Sequence, residues 1–407
     1  MSNKLVFVNR YYRPDTSASS QMLTDLAEYL AGQGHLVSVI CSRQLYGNPG
    51  AALATNEILS GVKVHRMATT RFGRNNLVGR TIDYLSFYFS ASIWLFRHIH
   101  KGDTIIAKTD PPLISFFAAL VAKIKGAKLI NWLQDLFPEV AFALGINMPT
   151  IFKAIILSCR NFSLRMATIN VAIGEKMVTR LQSIPRVSHI EKIDNWAPGD
   201  FIRPISRVDN ILRHEWQLDN KFVAGYSGNL GRAHDIDTLI EAAKLLSNTT
   251  NITFLLIGSG AQRIEIENQA RNAGLKNITF KPYQPIETLA MSLSVADVHV
   301  VTLNPLLEGL IVPSKFYGIA AAGRPSIFIG DQSGEIASLV EKYQCGYTVG
   351  VGDAQQLASY IFDLSLDPQK LSDLGTNAFA AATGPLNRTA RMRTWEESIK
   401  STTSSFT

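Results

Sequence analysis

Short, almost wholly apolar runs rich in valine and isoleucine alternate with longer segments of helical period along most of this chain, and the alternation occurs twice. In residues 1–200 the runs are KLVFVN, HLVSVIC, TIIAK, KLINWL and TINVAI, with helical spacing over residues 22–31 and 113–125. After residue 200 the pattern restarts as FVAGYS, ITFLLIGSG, NITF, VHVVTL and SIFIG, separated by helical segments over 237–246, from 261, from 286 and from 314. Strands without a polar face must be covered on both sides, and a strand–helix alternation covers them in that way. The pattern therefore predicts an α/β protein with two doubly wound parallel sheets.

The 407 residues suit two domains of roughly 200 residues each. The join is expected at about residue 200, in IDNWAPGDFIRPISR, where Pro198, Gly199 and Pro204 interrupt regular structure. Residues 201–385 then form the second domain. Residues 386–407 supply a C-terminal helix, read over 387–400, whose Trp395 is available to pack back towards the first domain, and a tail expected to fray after Lys400.

With 46% hydrophobic and 18% charged residues the chain can bury two cores, and no stretch has the composition of long disorder. The first strand lacks the apolar run of a secretion signal, and Cys41, Cys159 and Cys345 fit neither a disulfide framework nor a zinc spacing, so a cytoplasmic protein is expected. Residues 1–200 carry 22 Lys/Arg against 13 Asp/Glu, whereas residues 201–407 carry 18 against 20. The excess of positive charge is N-terminal, and it suits nucleic acid, an anionic membrane surface or a phosphorylated substrate. The aromatic segment YLSFYFSASIWLFRHIHK, residues 84–101, favours the lipid interface over nucleic acid; an ordinary buried helix is the other reading of the same stripe.

Ligands of open α/β sheets bind beyond the carboxyl ends of the strands, and five loops there hold candidate residues. The first, NRYYRPDTSASSQ, brings Asp15, Thr16 and Ser17 to a helix start, where backbone N–H groups can meet a phosphate or a sugar hydroxyl or simply be capped. No GxGxxG is present, which argues against a dinucleotide dehydrogenase. TDPPL and NWLQDLFPE place Asp110, Gln134, Asp135 and Glu139 past two further strands, as ligands of acceptor hydroxyls or as a base. The fourth loop, GYSGNLGRAHDID, offers Asn229, Gly231, Arg232 and His234, a glycine-permitted backbone with one guanidinium that suits a diphosphate. Its DID triplet opens a helix and is read as capping, so no metal is expected. In the fifth, LNPLLEGLIVPSKFYGIAAAGRPSI, Glu308 precedes Ser314, Lys315 and Gly318 at a helix start. Lys315 adds a full charge to a phosphate site there, or is a solvated surface lysine. Gly258, closing FLLIGSG, and Tyr283 complete the candidates.

In the order and spacing of YYRPDTSASSQMLTDLAEYLAGQGHLVSVIC, NWLQDLFPE, GNLGRAHDIDTLIEAA, FLLIGSG and VPSKFYGIAAAGRP, the chain resembles the GT-B glycosyltransferases of family 4 over nearly its whole length. It is most similar to bacterial enzymes that build O-antigen, capsule or colanic-acid-type exopolysaccharide. The resemblance implies two Rossmann-like domains facing a cleft, and retaining hexosyl or N-acetylhexosaminyl transfer from a nucleotide-diphosphate sugar without a metal or other cofactor. The donor is then held by the C-terminal domain and a polyprenyl-diphosphate-linked acceptor by the basic N-terminal one, peripheral at the inner face of the cytoplasmic membrane, with no nucleic-acid partner.

The family's phosphate-binding Arg and Lys fall on Asn229 and His234, so Arg232 and Lys315 are the substitute cations the resemblance implies. Its two glutamates fall on Leu310 and Gly318, with Glu308 two residues early, and its His-Asp pair appears as Gln134-Asp135. The resemblance thus gives catalytic roles to Asp135, Arg232 and Lys315, and donor contacts to Asn229, Gly231, Arg232, Gly258, Tyr283, Glu308, Ser314, Lys315 and Gly318. Acceptor contacts fall to Asp15, Thr16, Ser17, Asp110, Gln134 and Glu139. A sugar-nucleotide epimerase and a non-catalytic sugar-nucleotide-binding partner of a membrane assembly remain as alternatives.

Overall fold

The computed structural model describes residues 3–48, 50–73, 77–197 and 201–404. The chain divides into Met1–Asp194 with Arg391–Thr407, and Asn195–Ala390. Pro198 and Gly199 of the expected join lie outside the described residues.

The first unit carries an eight-stranded sheet. Its strands are β1 (Leu5–Val8), β2 (Val37–Ser42), β3 (Asn56–Leu59), β4 (Val62–Met67), β5 (Thr104–Lys108), β6 (Lys128–Leu133), β7 (Ile169–Ala172) and β8 (Ile190–Lys192). Their order is 3-4-2-1-5-6-7-8, parallel except for the β3/β4 pair. The helices are α1 (Ala18–Gly32), α2 (Leu77–His98), α3 (Ile114–Lys125), α4 (Glu139–Ala143), α5 (Thr150–Met166) and α6 (Glu175–Gln182). Because β1 pairs with β2 on one side and β5 on the other, the strand order reverses there, and a crevice opens past Val8 and Lys108. Apolar runs mark only strands buried on both faces. The β3/β4 hairpin, turning through Ser60 and Gly61 at φ 47° and 82°, alternates exposed and buried positions at the sheet edge, so that signal misses it.

The second unit holds α7 (Ile211–Glu215), β9 (Phe222–Ser227), α8 (Asp237–Leu245), β10 (Ile252–Ile257), α9 (Arg263–Asn272), β11 (Ile278–Lys281) and α10 (Leu289–Val295). It continues with β12 (Val298–Thr302), α11 (Lys315–Ala321), β13 (Ser326–Ile329), α12 (Glu335–Lys342), β14 (Gly346–Val349), α13 (Ala354–Leu366) and α14 (Pro368–Thr383). The order 11-10-9-12-13-14 is all parallel, and its reversal between β9 and β12 sets a second crevice past Ser227 and Thr302. The core is apolar, with Phe254, Leu256, Val300 and Ile327 of the strands packed under Leu239, Leu357 and Ile361 of α8 and α13. The helix expected from Ile286 begins as a 3₁₀ turn, Ile286–Thr288, behind Pro285.

A last helix, α15 (Arg388–Ser404), carries Trp395 into the first unit, where its ring centre lies 4.8 Å from that of Trp132. Of the tail expected to fray after Lys400, the described part continues the helix. Thr402 is buried and its carbonyl accepts from Lys128 Nζ, which holds the helix to Ser404; residues 405–407 lie outside the described residues.

The aromatic segment is neither wholly core nor wholly surface. Phe87, Tyr88, Ala91 and Leu95 of α2 are buried against β-strands and α3, while Leu85, Phe89 and Phe96 point to solvent. Among the described residues no helix is long and apolar enough to cross a membrane. Near the start of α2, the fully buried Asp83 accepts from Thr70 Oγ1 at 2.7 Å, the N–H groups of Phe72 and Gly73 at 3.0 Å, and Arg10 Nη2 at 3.3 Å. Removing that carboxylate strands a buried guanidinium, so Asp83→Ala should cost ~3–5 kcal/mol in urea unfolding. A cost under about 1 kcal/mol would show that the ion pair does not anchor α2.

Candidate functional site

At the second crevice the backbone is drawn in by glycine. β9 runs into Gly228 at φ +143° and β10 into Gly258 at φ +145°. A Cβ on Gly258 would lie 1.9 Å from the Gly228 carbonyl oxygen, so no side chain fits between the two loops. They are joined by Gly228 N to Ile257 O (2.9 Å), Leu230 N to Ser259 O (2.9 Å) and Gln262 N to Leu230 O (3.0 Å). The result is a floor of backbone at the carboxyl ends of β9 and β10, of the kind that lets phosphate come close.

Lys315, the first residue of α11, reaches over that floor. Its Nζ lies 3.9 Å from the centre of the Tyr226 ring, and a Cβ on Gly228 would come within 3.0 Å of it. The ammonium is buried with no hydrogen-bond partner, and burial lowers its pKa to about 7. A desolvated cation without an anion is unfavourable, and its position at a crevice points to a counter-ion that arrives with a ligand.

The neighbouring residues sort around it. His234 Nδ1 donates to Thr302 O at 2.8 Å, and burial lowers the ring's pKa to about 3, so the imidazole is neutral and its Nε2 carries the lone pair. Lys315 is thus the buried charge of the site, and Arg232 stands exposed on the loop after β9 as a second cation. Asn229 is exposed, its side-chain amide lying against the buried Gly231, and its carbonyl accepts from Tyr226 Oη at 2.8 Å. Asp235 accepts from Thr238 N at 2.9 Å, which occupies the first acid of the DID triplet in starting α8. Ser314 holds the N-cap position of α11 without a side-chain bond to it, and Tyr283 is exposed beyond β11. Gly318 is buried inside α11 and brings no side chain.

Glu308 is 7% exposed and aimed at the start of α12. Its Oε1 accepts from Glu335 N at 2.9 Å, and a Cβ on Gly334 would fall 2.4 Å from Oε2. Burial holds its pKa above the usual carboxylate range. Its first role is to supply negative charge to a helix N-terminus.

At the first crevice, the loop after β1 is organised by Asp15. Its Oδ1 accepts from Ser17 N (2.9 Å) and the Ser17 hydroxyl, and its Oδ2 from Tyr46 N (2.5 Å). Ser17 sits at the N-cap of α1 but gives it no side-chain bond, while Thr16 is exposed and its carbonyl accepts from Gln21 Nε2. Asp135 accepts from Thr109 Oγ1 at 3.0 Å, and burial raises its pKa to about 6 beside Asp110. Asp110 follows β5, its carbonyl accepting from Arg10 N at 2.6 Å, and Gln134 lies half-buried after β6. Glu139 is drawn away from this group: Arg160 of α5 donates to it from both terminal nitrogens, at 3.1 and 2.5 Å.

Two further residues of this crevice escape the strand patterns. Lys108, at the end of β5, is buried, donates to Ser19 O in the first turn of α1 at 2.7 Å, and lies 4.0 Å from the centre of the Trp132 ring. Burial lowers its pKa to about 7 against the pull of Asp135, Asp110 and Asp25. Arg10 lies between the rings of Tyr11 and Tyr84, 5.3 and 5.0 Å away. Lys108 is the one cation in an otherwise apolar strand, and that oddity is its signal in the sequence.

Residues 209–381 match the family model described as Glycosyl transferases group 1. The chain is 27% identical over 308 residues to a Pseudomonas aeruginosa protein named as glycosyltransferase WbjE, covering 75% of this chain and 76% of that one. It is 26% identical over 358 residues, 84% and 86% of the two chains, to an Escherichia coli (strain K12) protein named as the colanic acid biosynthesis glycosyl transferase WcaI. Its fold is similar to that of Anabaena Alr3699/HepE, solved with UDP and glucose, at a TM-score of 0.74 and 18% identity over 98% of this chain and all of that one.

Proposed function

Since residues 209–381 are a group 1 glycosyltransferase domain and the chain is a glycosyltransferase with relatives in bacterial surface polysaccharide synthesis, we propose that it transfers a sugar, with retention, from a nucleotide-diphosphate sugar to a hydroxyl of a lipid-linked glycan. The observation that carries this reading is the unpartnered Lys315 ammonium over the Gly228–Gly258 floor. A donor diphosphate supplies the missing anion. As the bond from the anomeric carbon to the phosphate oxygen breaks, negative charge gathers on that oxygen, and Lys315 with Arg232 stabilises it. The acceptor oxygen attacks the same face of the sugar. Within the first unit, Asp135 is a carboxylate whose pKa burial raises to about 6, as suits a group that binds or deprotonates a hydroxyl. The positive charge of residues 1–200 supports a reading in which the acceptor is anionic and membrane-held and the protein works peripherally at the inner face of the cytoplasmic membrane.

The test is a thermal screen of UDP-, GDP- and dTDP-sugars, followed by transfer to lipid-linked acceptors. One base should stabilise the protein by about 2.7 kcal/mol at a hundred times its Kd. No stabilisation by any of them would remove the donor site. An epimer formed from donor alone would replace transfer by isomerisation, and binding without transfer to any acceptor would leave a non-catalytic partner.

A further inference from the structure

Large apolar side chains are exposed unevenly. Among the described residues no helix of the second unit exposes more than two, whereas α2 exposes five and α5 four. On α2 these include Leu85, Phe89 (70% exposed) and Phe96; on α3 Ile124 (67%); on α5 Phe152 (58%) and Ile155. α3 packs between α2 and α5, so the three outer faces adjoin. Lysines bridge the seams: Lys125 of α3 lies 4.3 Å from the Phe96 ring centre on α2, and Lys123 of α3 lies 5.8 Å from that of Phe162 on α5. On α5 itself, Lys153 stands 4.5 Å from the ring of Phe142. Across all three helices the only carboxylate is Asp83, and it is buried.

We propose that the outer faces of α2, α3 and α5 form one docking surface for an anionic bilayer, with the aromatic and aliphatic side chains entering the interface and the lysines meeting lipid phosphates. An apolar face with cations interleaved and no exposed carboxylate matches a negatively charged interface. A second copy of this chain is a poor occupant, because a two-fold contact would set lysines against lysines with no acid between them. The face also has a mechanical link to the first crevice, since Asp83 of α2 holds Arg10 just beyond β1. Docking by α2 therefore fixes that crevice at the membrane surface. The inference rests on the lipid-linked acceptor of the proposed function for its purpose, but not for its observations.

Flotation of the full chain with phosphatidylcholine vesicles, with and without phosphatidylglycerol, tests it. Wild type should float with the anionic vesicles and far less with the neutral ones. Lys123→Ala, Lys125→Ala and Lys153→Ala together should lower the partition coefficient about a hundredfold. Phe89→Asp with Phe152→Asp should lower it by about tenfold or more, with the Tm held close to wild type because both side chains are already exposed. Stabilisation by the nucleotide sugar should survive in every variant. Equal binding to neutral vesicles, wild-type flotation of the variants, or a concentration-dependent dimer that the same substitutions abolish would overturn the proposal. Loss of nucleotide response with vesicle binding intact would instead overturn the transferase reading of the second crevice and leave this surface standing.

Discussion

Lys315→Met should raise the melting temperature of the ligand-free protein while removing the stabilisation it gains from its nucleotide sugar. Methionine keeps the length and apolar stem of lysine but carries no charge into a site where the ammonium has no partner. Replacing an uncompensated buried charge by an apolar side chain of similar shape typically stabilises by ~1–3 kcal/mol. A charge lost from beneath a leaving diphosphate costs ~3–4 kcal/mol of transition-state stabilisation, or a fall of roughly a hundredfold to a thousandfold in kcat/KM. The two effects have opposite signs because the same desolvation that opposes the empty ammonium strengthens its attraction for an anion.

The pH dependence fixes the assignment further. The ordinary lysine pKa is 10.5, and burial lowers that of Lys315 to about 7. Above pH 10.5 the amine is neutral in both folded and unfolded chains. Between 10.5 and 7 only the unfolded chain holds the proton, so the folded state loses stability as pH falls, and below about 7 the difference no longer grows. The gain in Tm for Lys315→Met should therefore be largest at neutral pH and shrink towards pH 10. Differential scanning calorimetry at pH 7 and 9.5, with and without nucleotide sugar, reads both effects. A destabilised variant that still responds fully to nucleotide would remove Lys315 from the donor site.

How far such a site is legible beforehand depends on where its determinants lie in the chain. The two parallel sheets, and the loops past their carboxyl ends as the places for ligands, follow from the strand runs, because an all-apolar strand allows little but a covered parallel sheet; the reversals of strand order that open the two crevices are set by the strand pairing. The residue types at the crevices are equally visible, so Lys315 stands out beside VPSKFYG. Its burial does not, since that depends on Tyr226 and Gly228 nearly ninety residues earlier in the chain. The same holds for Glu139, whose carboxylate belongs to Arg160 on another helix, and for Glu308, which belongs to the start of α12. Spacing ranks carboxylates by their nearness to strand ends, whereas partners remote in sequence decide which remain open to a ligand. The β3/β4 hairpin was hidden for the reverse reason: half its side chains face water, so it lacks the apolar run that announces the buried strands.

Gly258→Ala and Gly346→Ala should separate function from fold, because the two glycines meet the same obstacle in different places. A Cβ on Gly258 would stand 1.9 Å from the Gly228 carbonyl oxygen, and one on Gly346 would stand 1.7 Å from that of Ser326. In each case backbone must move, at a cost of ~2–4 kcal/mol, or a fall in Tm of about 5–15 °C for a unit of this size. The consequences then diverge. Displacing Gly228 moves the loop beneath Lys315, whose Nζ would stand 3.0 Å from a Cβ at Gly228, so Gly258→Ala should lose nucleotide stabilisation along with stability. Ser326 lies at the start of β13, paired with Gly346 of β14 on the far side of β12 from β9. Gly346→Ala should be equally destabilised yet keep its nucleotide response, measured as the rise in Tm above its own ligand-free midpoint. If both variants lose that response together, the Gly228–Gly258 floor has no role beyond general stability, and the donor site must be sought elsewhere on the second sheet.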